Sequence, residues 1–378
     1  MIRTGTATLL AIVLGCTAAH PGRAAGADAY HVVYSFQGGS DGTAPFVSVI
    51  NVGGTLYGTT YTGGAGCPAP GCGTVFSVTP GGSESVVYAF KGEAAGDGEF
   101  PKANLINVGG TFYGTTVSGG AFGGGTVFSL VPGGKETVLH SFGQGSDGDQ
   151  PLGGLVRVGG KLYGTTNLGG TSNFGTVFSI TFGGKEKALY AFKGQNDGAY
   201  PEASLILVGG MLYGTTNSSG FDHLGSVFAI TPSGTESDQD TLTSLTEGAN
   251  PYATLIVLRG ILYGTAIDGG ANGWGSVFGF PAGGIATPLY SFTGGSDGGD
   301  PLAGVVSVGG ALYGTTSAGG GTVFKITLKG KERVLHAFTG TPDGNLPEAG
   351  LLDVDGTLYG TTTNGGATNN GTVFSITP

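Results

Sequence analysis

Short runs of apolar and β-branched residues, separated by glycine-rich turns, follow one another along the chain from residue 30 onward. Segment 151–192 contains one complete set of four runs, which we call strands a to d: residues 154–158, 161–166, 176–181 and 186–192. Gly159-Gly160 lies between the first two runs and Gly183-Gly184 between the last two, and glycine pairs of this kind favour tight turns. The pattern therefore predicts four consecutive antiparallel strands.

Four short strings each recur seven times, about 50 residues apart. They are Leu/Phe-Tyr-Gly-Thr, Gly-Thr/Ser-Val-Phe, an apolar residue (usually Phe) ending strand d, and an acidic residue followed by Gly, two residues and Pro. The tyrosines of the first string are Tyr57, Tyr113, Tyr163, Tyr213, Tyr263, Tyr313 and Tyr359. Four strands repeated seven times predict an all-β fold, a seven-bladed β-propeller with strand a innermost.

The two ends of the chain complement each other in this pattern. The repeat region begins with a lone strand d, residues 30–36, and finishes on strand c, residues 371–376. We therefore expect the N-terminal strand to pair with the C-terminal repeat, which would close the ring and cover two exposed strand edges. Residues 28–378 would form one domain. An open solenoid is the competing architecture, but solenoids need atypical capping repeats.

The repeated pattern Gly-Gly-x-Leu-Tyr-Gly-Thr-Thr-x-x-Gly-Gly, followed by Gly-Thr-Val-Phe-x-Ile-Thr, resembles the GloVer tandem repeat. The resemblance extends over nearly all of residues 30–378, with seven copies in register. It implies a β-rich repeat protein of the exported bacterial type described as "choice-of-anchor". It implies no defined activity, so it assigns no catalytic residues.

Composition and charge narrow the range of partners. Although 81 of the 378 residues are glycine, 39% are hydrophobic and only 11% are charged, which argues against a disordered chain. The net charge is −10 and there is no basic run, so a nucleic-acid partner is not expected.

Residues 1–27 are typical of an export signal. Arg3 precedes an apolar stretch at residues 7–19, and Ala25-Gly26-Ala27 forms a small-residue cleavage site before Asp28. A lipoprotein acylated on Cys16 is the alternative, because Val13-Leu14-Gly15-Cys16 is an imperfect lipidation box. No other apolar segment approaches the length of a transmembrane span. We expect an exported, monomeric protein without a transmembrane segment.

Cys67 and Cys72 are the two cysteines that follow the export signal. In an oxidising compartment we expect them to form a local disulfide. A metal site would need two further ligands, and no His or Cys pair lies nearby in the sequence, so no metal site is predicted.

The repeated acidic residues before the turn glycines have two interpretations. A ring of carboxylates could bind Ca²⁺ or a cationic ligand. Alternatively, each carboxylate bonds its own turn, which we favour because ligand sites normally break the symmetry of a repeat. The residues are Asp41, Asp97, Asp147, Asp197, Glu247, Asp297 and Asp343.

Residues that break the symmetry are the candidates for ligand binding. They lie in the b–c and d–a loops, which leave the blades on the same face: Phe174, Tyr200, Asp222, His223, Tyr252, Asp268 and Trp274. Aromatic rings could stack on a sugar while the polar groups bond its hydroxyls. The competing interpretation is that these side chains simply pack between neighbouring loops.

The sequence contains no asymmetric group of acid, base and nucleophile, and its catalytic residues are unknown. The leading hypothesis is therefore an exported binding scaffold that presents its loop-rich face to a glycan or a protein and needs no cofactor. The alternative is a carbohydrate-active enzyme, a polysaccharide lyase or glycoside hydrolase, with its site on the same face. A quinone-dependent dehydrogenase ranks third.

Overall fold

A computed structural model describes residues 29–218, 224–242, 245–281 and 284–378, with the backbone alone at 196 and 236–241. The chain forms seven four-stranded antiparallel sheets, in each of which strands a, b, c and d are neighbours in that order. The prediction of an all-β, seven-bladed propeller is confirmed. We number the blades 1 to 7 in the chain order of their a strands.

The innermost strands a are Ile50–Val52, Ile106–Val108, Val156–Val158, Ile206–Val208, Ile256–Leu258, Val306–Val308 and Leu352–Val354. Strands b are Thr55–Thr60, Thr111–Thr116, Lys161–Thr166, Met211–Thr216, Ile261–Ala266, Ala311–Thr316 and Thr357–Thr362. Strands c are Thr74–Val78, Thr126–Leu130, Thr176–Thr181, Ser226–Ile230, Ser276–Pro281, Thr322–Thr327 and Thr372–Thr377. Strands d of blades 1 to 6 are Glu84–Ala89, Glu136–Ser141, Glu186–Ala191, Glu236–Thr241, Thr287–Ser291 and Glu332–Ala337, and that of blade 7 is Ala29–Ser35.

In the described part of the chain, two small ribbons and four 3-10 turns lie in the d–a and b–c loops. The ribbons pair Gly98–Glu99 with Ser118–Gly119 and Gly344–Asn345 with Asn364–Gly365. The 3-10 turns are Gly39–Asp41, Glu93–Ala95, Gln195–Asp197 and Ala318–Gly320.

Blade 7 combines the two ends of the repeat region. Strand Ala29–Ser35 pairs antiparallel with Thr372–Thr377, and Ala29 lies opposite Thr377. Blade 7 also contacts blade 1 directly, because the Thr361 hydroxyl donates to the Val47 carbonyl over 3.1 Å.

The hydrophobic core lies between neighbouring blades. The Phe that follows strand d packs against the Phe of strand c in the next blade, with ring centroids 5.0 Å apart for Phe36 and Phe76 and 5.1 Å for Phe90 and Phe128. These four rings are at most 1% exposed. Each blade is therefore stabilised by its neighbours.

Some strand boundaries differ from the prediction. Strand a of blade 3 begins at Val156 and not at residue 154, because the Gly154 amide donates to the Ser204 hydroxyl of blade 4 over 2.7 Å. The N-terminal strand ends at Ser35, because the Phe36 amide donates to the Gly371 carbonyl beyond the paired segment.

Strand d also carries a bulge, which simple alternation does not predict. In blade 3 the pairing with strand c shifts by one residue, so that Tyr190 lies opposite Val177 and Ala188 opposite Phe178. The extra residue, Leu189, packs into the core shared with blade 4. The same shift occurs in all seven blades.

Candidate functional site

A cavity of about 240 Å³ lies on the ring axis, where the d–a loops enter strand a. All seven blades contribute to its lining with the segment just before strand a. The residue after the loop proline forms its outer ring, which in blade order is Phe46, Lys102, Leu152, Glu202, Tyr252, Leu302 and Glu348. We call this set the axial ring. It is the place where near-identical repeats bring different side chains around one cavity.

The floor of the cavity consists of small residues two positions further along the chain. They are Ser48, Asn104, Gly154, Ser204, Thr254, Gly304 and Gly350. The Ser48 hydroxyl donates to the Gly350 carbonyl over 2.7 Å, so blades 1 and 7 meet directly at the axis. Hydroxyl and amide groups on this floor can bond the polar groups of a ligand.

The loops that position the axial ring are held by bonds between blades. The residue before each loop proline has a left-handed backbone, with φ of 58° at Tyr200. This conformation is unfavourable by about 1–2 kcal/mol for a residue that has a Cβ atom. The Tyr200 amide donates to the Phe174 carbonyl over 3.0 Å, and its carbonyl accepts from the Asn217 amide over 3.1 Å. The equivalent residue is left-handed in all seven loops: Ala44, Phe100, Gln150, Tyr200, Asn250, Asp300 and Leu346.

Three charged side chains share the axial ring. Burial raises the pKa of Glu202, and the Asn217 amide and the Lys102 ammonium partly offset that rise. Burial also raises the pKa of Glu348, again with an opposing effect of Lys102. Asn217 donates to the Glu202 carboxylate over 3.3 Å. The cavity thus holds two partly buried carboxylates under the influence of one exposed lysine.

An aromatic cluster begins at Phe46 in the cavity lining and extends beyond it. The ring of Tyr61 stacks on Phe100 and meets Phe46 edge to face, each with centroids 5.1 Å apart. The Lys102 ammonium lies 5.8 Å from the centre of the Phe46 ring. Aromatic faces beside charged groups can contact both the apolar and the polar surfaces of a ligand.

Two of the candidates from the sequence lie at or near this cavity. Tyr252 belongs to the axial ring, and burial, with Glu202 and Asp268, raises its pKa. Asp268 is exposed and accepts a bond of 2.7 Å from the Asn250 amide. Burial and the nearby Asp268 raise the pKa of Asp300.

Other candidates pack against neighbouring loops. The Phe174 ring meets Tyr200 edge to face at 5.7 Å and lies over Gly194. Trp274 takes the equivalent position over Gly294 and remains 43% exposed. The structure therefore places Phe174 and Trp274 over two different d–a loops and not in one aromatic patch. Asp222 and His223 lie outside the described residues.

The repeated carboxylates bond the preceding strand d. Tyr88 donates to Asp97 over 2.7 Å, and the amides of Lys91 and Gly98 donate to the same carboxylate. His140 and His336 take the place of Tyr opposite Asp147 and Asp343, each at 3.0 Å. Tyr34, Tyr190 and Tyr290 likewise donate to Asp41, Asp197 and Asp297. A structural role for these carboxylates stays a prediction.

The disulfide between Cys67 and Cys72 is present, as predicted, with Cα atoms 5.6 Å apart. Within the described part of the chain, no group of three or more His, Cys, Asp or Glu side chains is arranged to hold a metal ion. No helix in the same part of the chain is long and apolar enough to cross a membrane.

Sequence reasoning missed most of the axial ring and the aromatic cluster of Tyr61 and Phe100. A signal was present: the position after the loop proline varies from Lys to Glu to Leu, while Asp, Gly and Pro around it recur. The variation is confined to one position in each repeat, so it is less conspicuous than the variation of the long b–c loops.

Comparison with solved structures supports the architecture. A puromycin-hydrolysing peptidase from Mycobacterium tuberculosis is 12% identical with a TM-score of 0.54, and the match covers 85% of this chain and 52% of that chain. This chain therefore spans about half the length of the peptidase. The quinohemoprotein alcohol dehydrogenase of Comamonas testosteroni is also 12% identical with a TM-score of 0.54, and the match covers 93% of this chain and 76% of that one. At such identities the likeness shows the fold alone.

The sequence comparison identifies the repeat itself. No curated protein sequence matches this chain. The profile of the Gloeobacter/Verrucomicrobia repeat matches residues 24–220 and 206–378, which together include all seven copies of the Tyr-Gly-Thr string. The chain belongs to the Gloeobacter/Verrucomicrobia repeat family.

Proposed function

We propose that this protein is an exported binding protein that takes one sugar unit of a glycan into the axial cavity. One observation carries the proposal: the repeat symmetry is broken around that cavity, where aromatic, charged and hydroxyl side chains converge. Pockets for drug-sized ligands measure about 300–1,000 Å³, so a cavity of about 240 Å³ suits a ligand of about one sugar ring.

The chemistry of the lining fits a sugar. Phe46 and Tyr252 supply aromatic surface for the C–H face of a ring, and the Glu202 carboxylate can accept hydrogen bonds from hydroxyls. The floor adds the hydroxyls of Ser204 and Thr254.

Glycan-array screening followed by calorimetry tests the proposal. Phe46→Ala and Tyr252→Ala should each weaken binding of the best glycan about tenfold, as expected for the loss of one aromatic contact. Phe122→Ala is the matched control, because Phe122 is an exposed aromatic residue outside the cavity. Equal effects of all three substitutions would contradict a site in the axial cavity.

A carbohydrate-active enzyme is the second candidate, favoured by the presence of Glu202 and Glu348 at the same cavity. Burial raises the pKa of both carboxyls, and glycoside hydrolases use a pair of carboxyls as acid and base. Chromatography of polysaccharides incubated with the protein would show new products if it is a hydrolase or lyase. Binding without products would favour the binding protein.

Export is supported by the signal-like residues 1–27 and by the Cys67–Cys72 disulfide, since disulfides persist in oxidising compartments. Mass spectrometry of the protein secreted from a bacterial host should find Asp28 as the first residue. A lipid-modified Cys16 at the N-terminus would instead establish the lipoprotein alternative.

A further inference from the structure

The axial ring carries an unequal distribution of charge. Lys102 contributes one positive charge, and Glu202 and Glu348 contribute two negative charges, so the ring sums to 1 − 2 = −1. The whole chain is also acidic, with a net charge of −10. A cationic ligand would therefore be attracted both at a distance and within the cavity.

The cavity mouth already accommodates one ammonium group. The Lys102 nitrogen lies 5.8 Å from the centre of the Phe46 ring, a distance at which a cation is attracted to an aromatic face. Its charge acts on both carboxyls of the ring, because it lowers the pKa of Glu202 and that of Glu348. The Lys102 side chain is exposed and flexible, so its ammonium group can move aside when another cation enters.

We propose that the sugar unit taken into the axial cavity is an amino sugar, whose protonated amine pairs with Glu202 or with Glu348. This inference rests on the proposed function, because it specifies the ligand of the same cavity. Phe46 and Tyr252 would contact the ring, and the hydroxyl floor would bond the remaining sugar hydroxyls.

Other sugar classes fit this cavity less well. An acidic sugar would bring a third negative charge beside Glu202 and Glu348, with only Lys102 to balance it. An N-acetylated sugar has the same ring but no positive charge, so Lys102 would stay the single cation of the axial ring beside two partly buried carboxylates.

Three matched probes test the inference: tetrasaccharides of glucosamine, of N-acetylglucosamine and of galacturonic acid. We expect calorimetry at mildly acidic pH to show the glucosamine probe binding at least about tenfold more tightly than the other two, as a charge-assisted bond predicts. Its affinity should fall as salt is added. Equal or tighter binding of either other probe would overturn the inference but leave the glycan-binding proposal intact. No binding of the glucosamine probe would also overturn the inference, and the glycan array then decides the proposed function separately.

Substitutions separate charge from shape. At least one of Glu202→Gln and Glu348→Gln should weaken binding of the glucosamine probe about tenfold and affect the N-acetylated probe much less. Unchanged binding in both variants would contradict the inference. Glu93→Gln is the control, because it removes the same charge from an exposed site outside the cavity. Lys102→Met should tighten glucosamine binding several-fold by removing the competing cation, and weaker binding after this change would contradict the inference. Comparing probes on one variant keeps the test valid even where a substitution reduces stability.

Discussion

The glycine of each Tyr-Gly-Thr string is required by packing rather than by backbone conformation. In blade 3, a Cβ atom on Gly164 would lie 2.7 Å from the Phe178 ring and 3.0 Å from Leu155. Both neighbours are buried, and Phe178 belongs to the core shared with blade 2. The Phe178 ring of strand c therefore fills the space that a side chain at residue 164 would need.

We predict that Gly164→Ala destabilises the protein by about 1–3 kcal/mol, the usual effect of overpacking a core. The matched control is Gly160→Ala, because no atom lies within 4 Å of a Cβ there and the backbone is not left-handed. Urea unfolding measures the free energy of unfolding of both variants. A similar change in both variants would contradict the packing explanation.

The carboxylate of the d–a loop is the second feature at this scale. Asp97 is 5% exposed and accepts bonds from Tyr88, Lys91 and Gly98, which supports a structural role for its carboxylate. We predict that Tyr88→Phe lowers the free energy of unfolding by about 1.5–3 kcal/mol, the usual value for a bond to a charged group.

Calcium should leave the stability of the parent protein unchanged, and so should a chelator, if the carboxylates are structural. Thermal unfolding with Ca²⁺ and with EDTA checks this expectation. A melting temperature that rises with Ca²⁺ in the parent but not in Asp97→Asn would support the cation-binding interpretation instead.

At the scale of elements, four blade boundaries bring a glutamate at the start of strand d close to the carboxylate of the preceding d–a loop. Burial, and then the nearby Asp97, raises the pKa of Glu136 to about 7, while Lys91 and Lys135 partly offset the rise. The residue Glu136 is 6% exposed, and its buried Oε1 atom has no hydrogen-bond partner. Three equivalent glutamates also have a buried, unpartnered Oε1 and a pKa raised to about 7: Glu84, Glu186 and Glu332.

We predict that the free energy of unfolding falls as pH rises from 4.5 to about 7. The folded pKa of about 7 lies above the ordinary value of 4.5, so the folded state holds these protons more tightly than the unfolded state does. The resulting stabilisation is complete below pH 4.5 and is lost as pH approaches 7. Asp297 and Asp343 act in the opposite direction, because their lowered pKa removes stability below their ordinary value of 3.8.

Melting temperature measured against pH should therefore be highest at about pH 4 to 5. Glu136→Gln cannot ionise, so it should reduce the decline between pH 4.5 and 7 and raise the melting temperature above neutral pH. Glu93→Gln should leave the profile unchanged, because Glu93 is exposed. A parent protein that is as stable above neutral pH as at pH 5 would contradict this prediction.

For the whole molecule, the N-terminal strand connects three blades. It pairs with strand c of blade 7, Tyr30 stacks on His336 of blade 6 at 3.7 Å, and Phe36 packs on Phe76 of blade 1. Burial of Phe36 alone contributes about 1.5–3 kcal/mol, against a typical net stability of about 5–15 kcal/mol. We predict that deletion of residues 29–37 leaves the protein aggregated or strongly destabilised.

A circular permutant provides the control. Because Ala29 lies opposite Thr377, a short glycine-rich linker can join Pro378 to Ala29 in a new chain that begins at residue 38 and ends at residue 37. It keeps every strand pair, so it should melt close to the parent in calorimetry. A deletion variant that stays monomeric and melts like the parent would contradict closure by this strand.

Local patterns determined the blades, the turns and the number of repeats. Strand alternation, turn glycines and the recurrence of Tyr-Gly-Thr are properties of neighbouring residues or of repeats compared with one another, so they can be read along the chain. The Cys67–Cys72 disulfide could be predicted for the same reason, because it closes a short loop.

Only the tertiary structure decided which variable residues meet. Phe46, Lys102 and Glu348 lie far apart in the chain, yet the ring brings them around one cavity because every blade contributes the same position to the axis. The bulge at Leu189 and the raised pKa of Glu136 likewise depend on a neighbouring blade. The sequence by itself determined the repeated unit, because strands and turns form from local preferences. The arrangement of unlike side chains at the axis and between blades required the assembled ring, because their contacts join residues from different repeats.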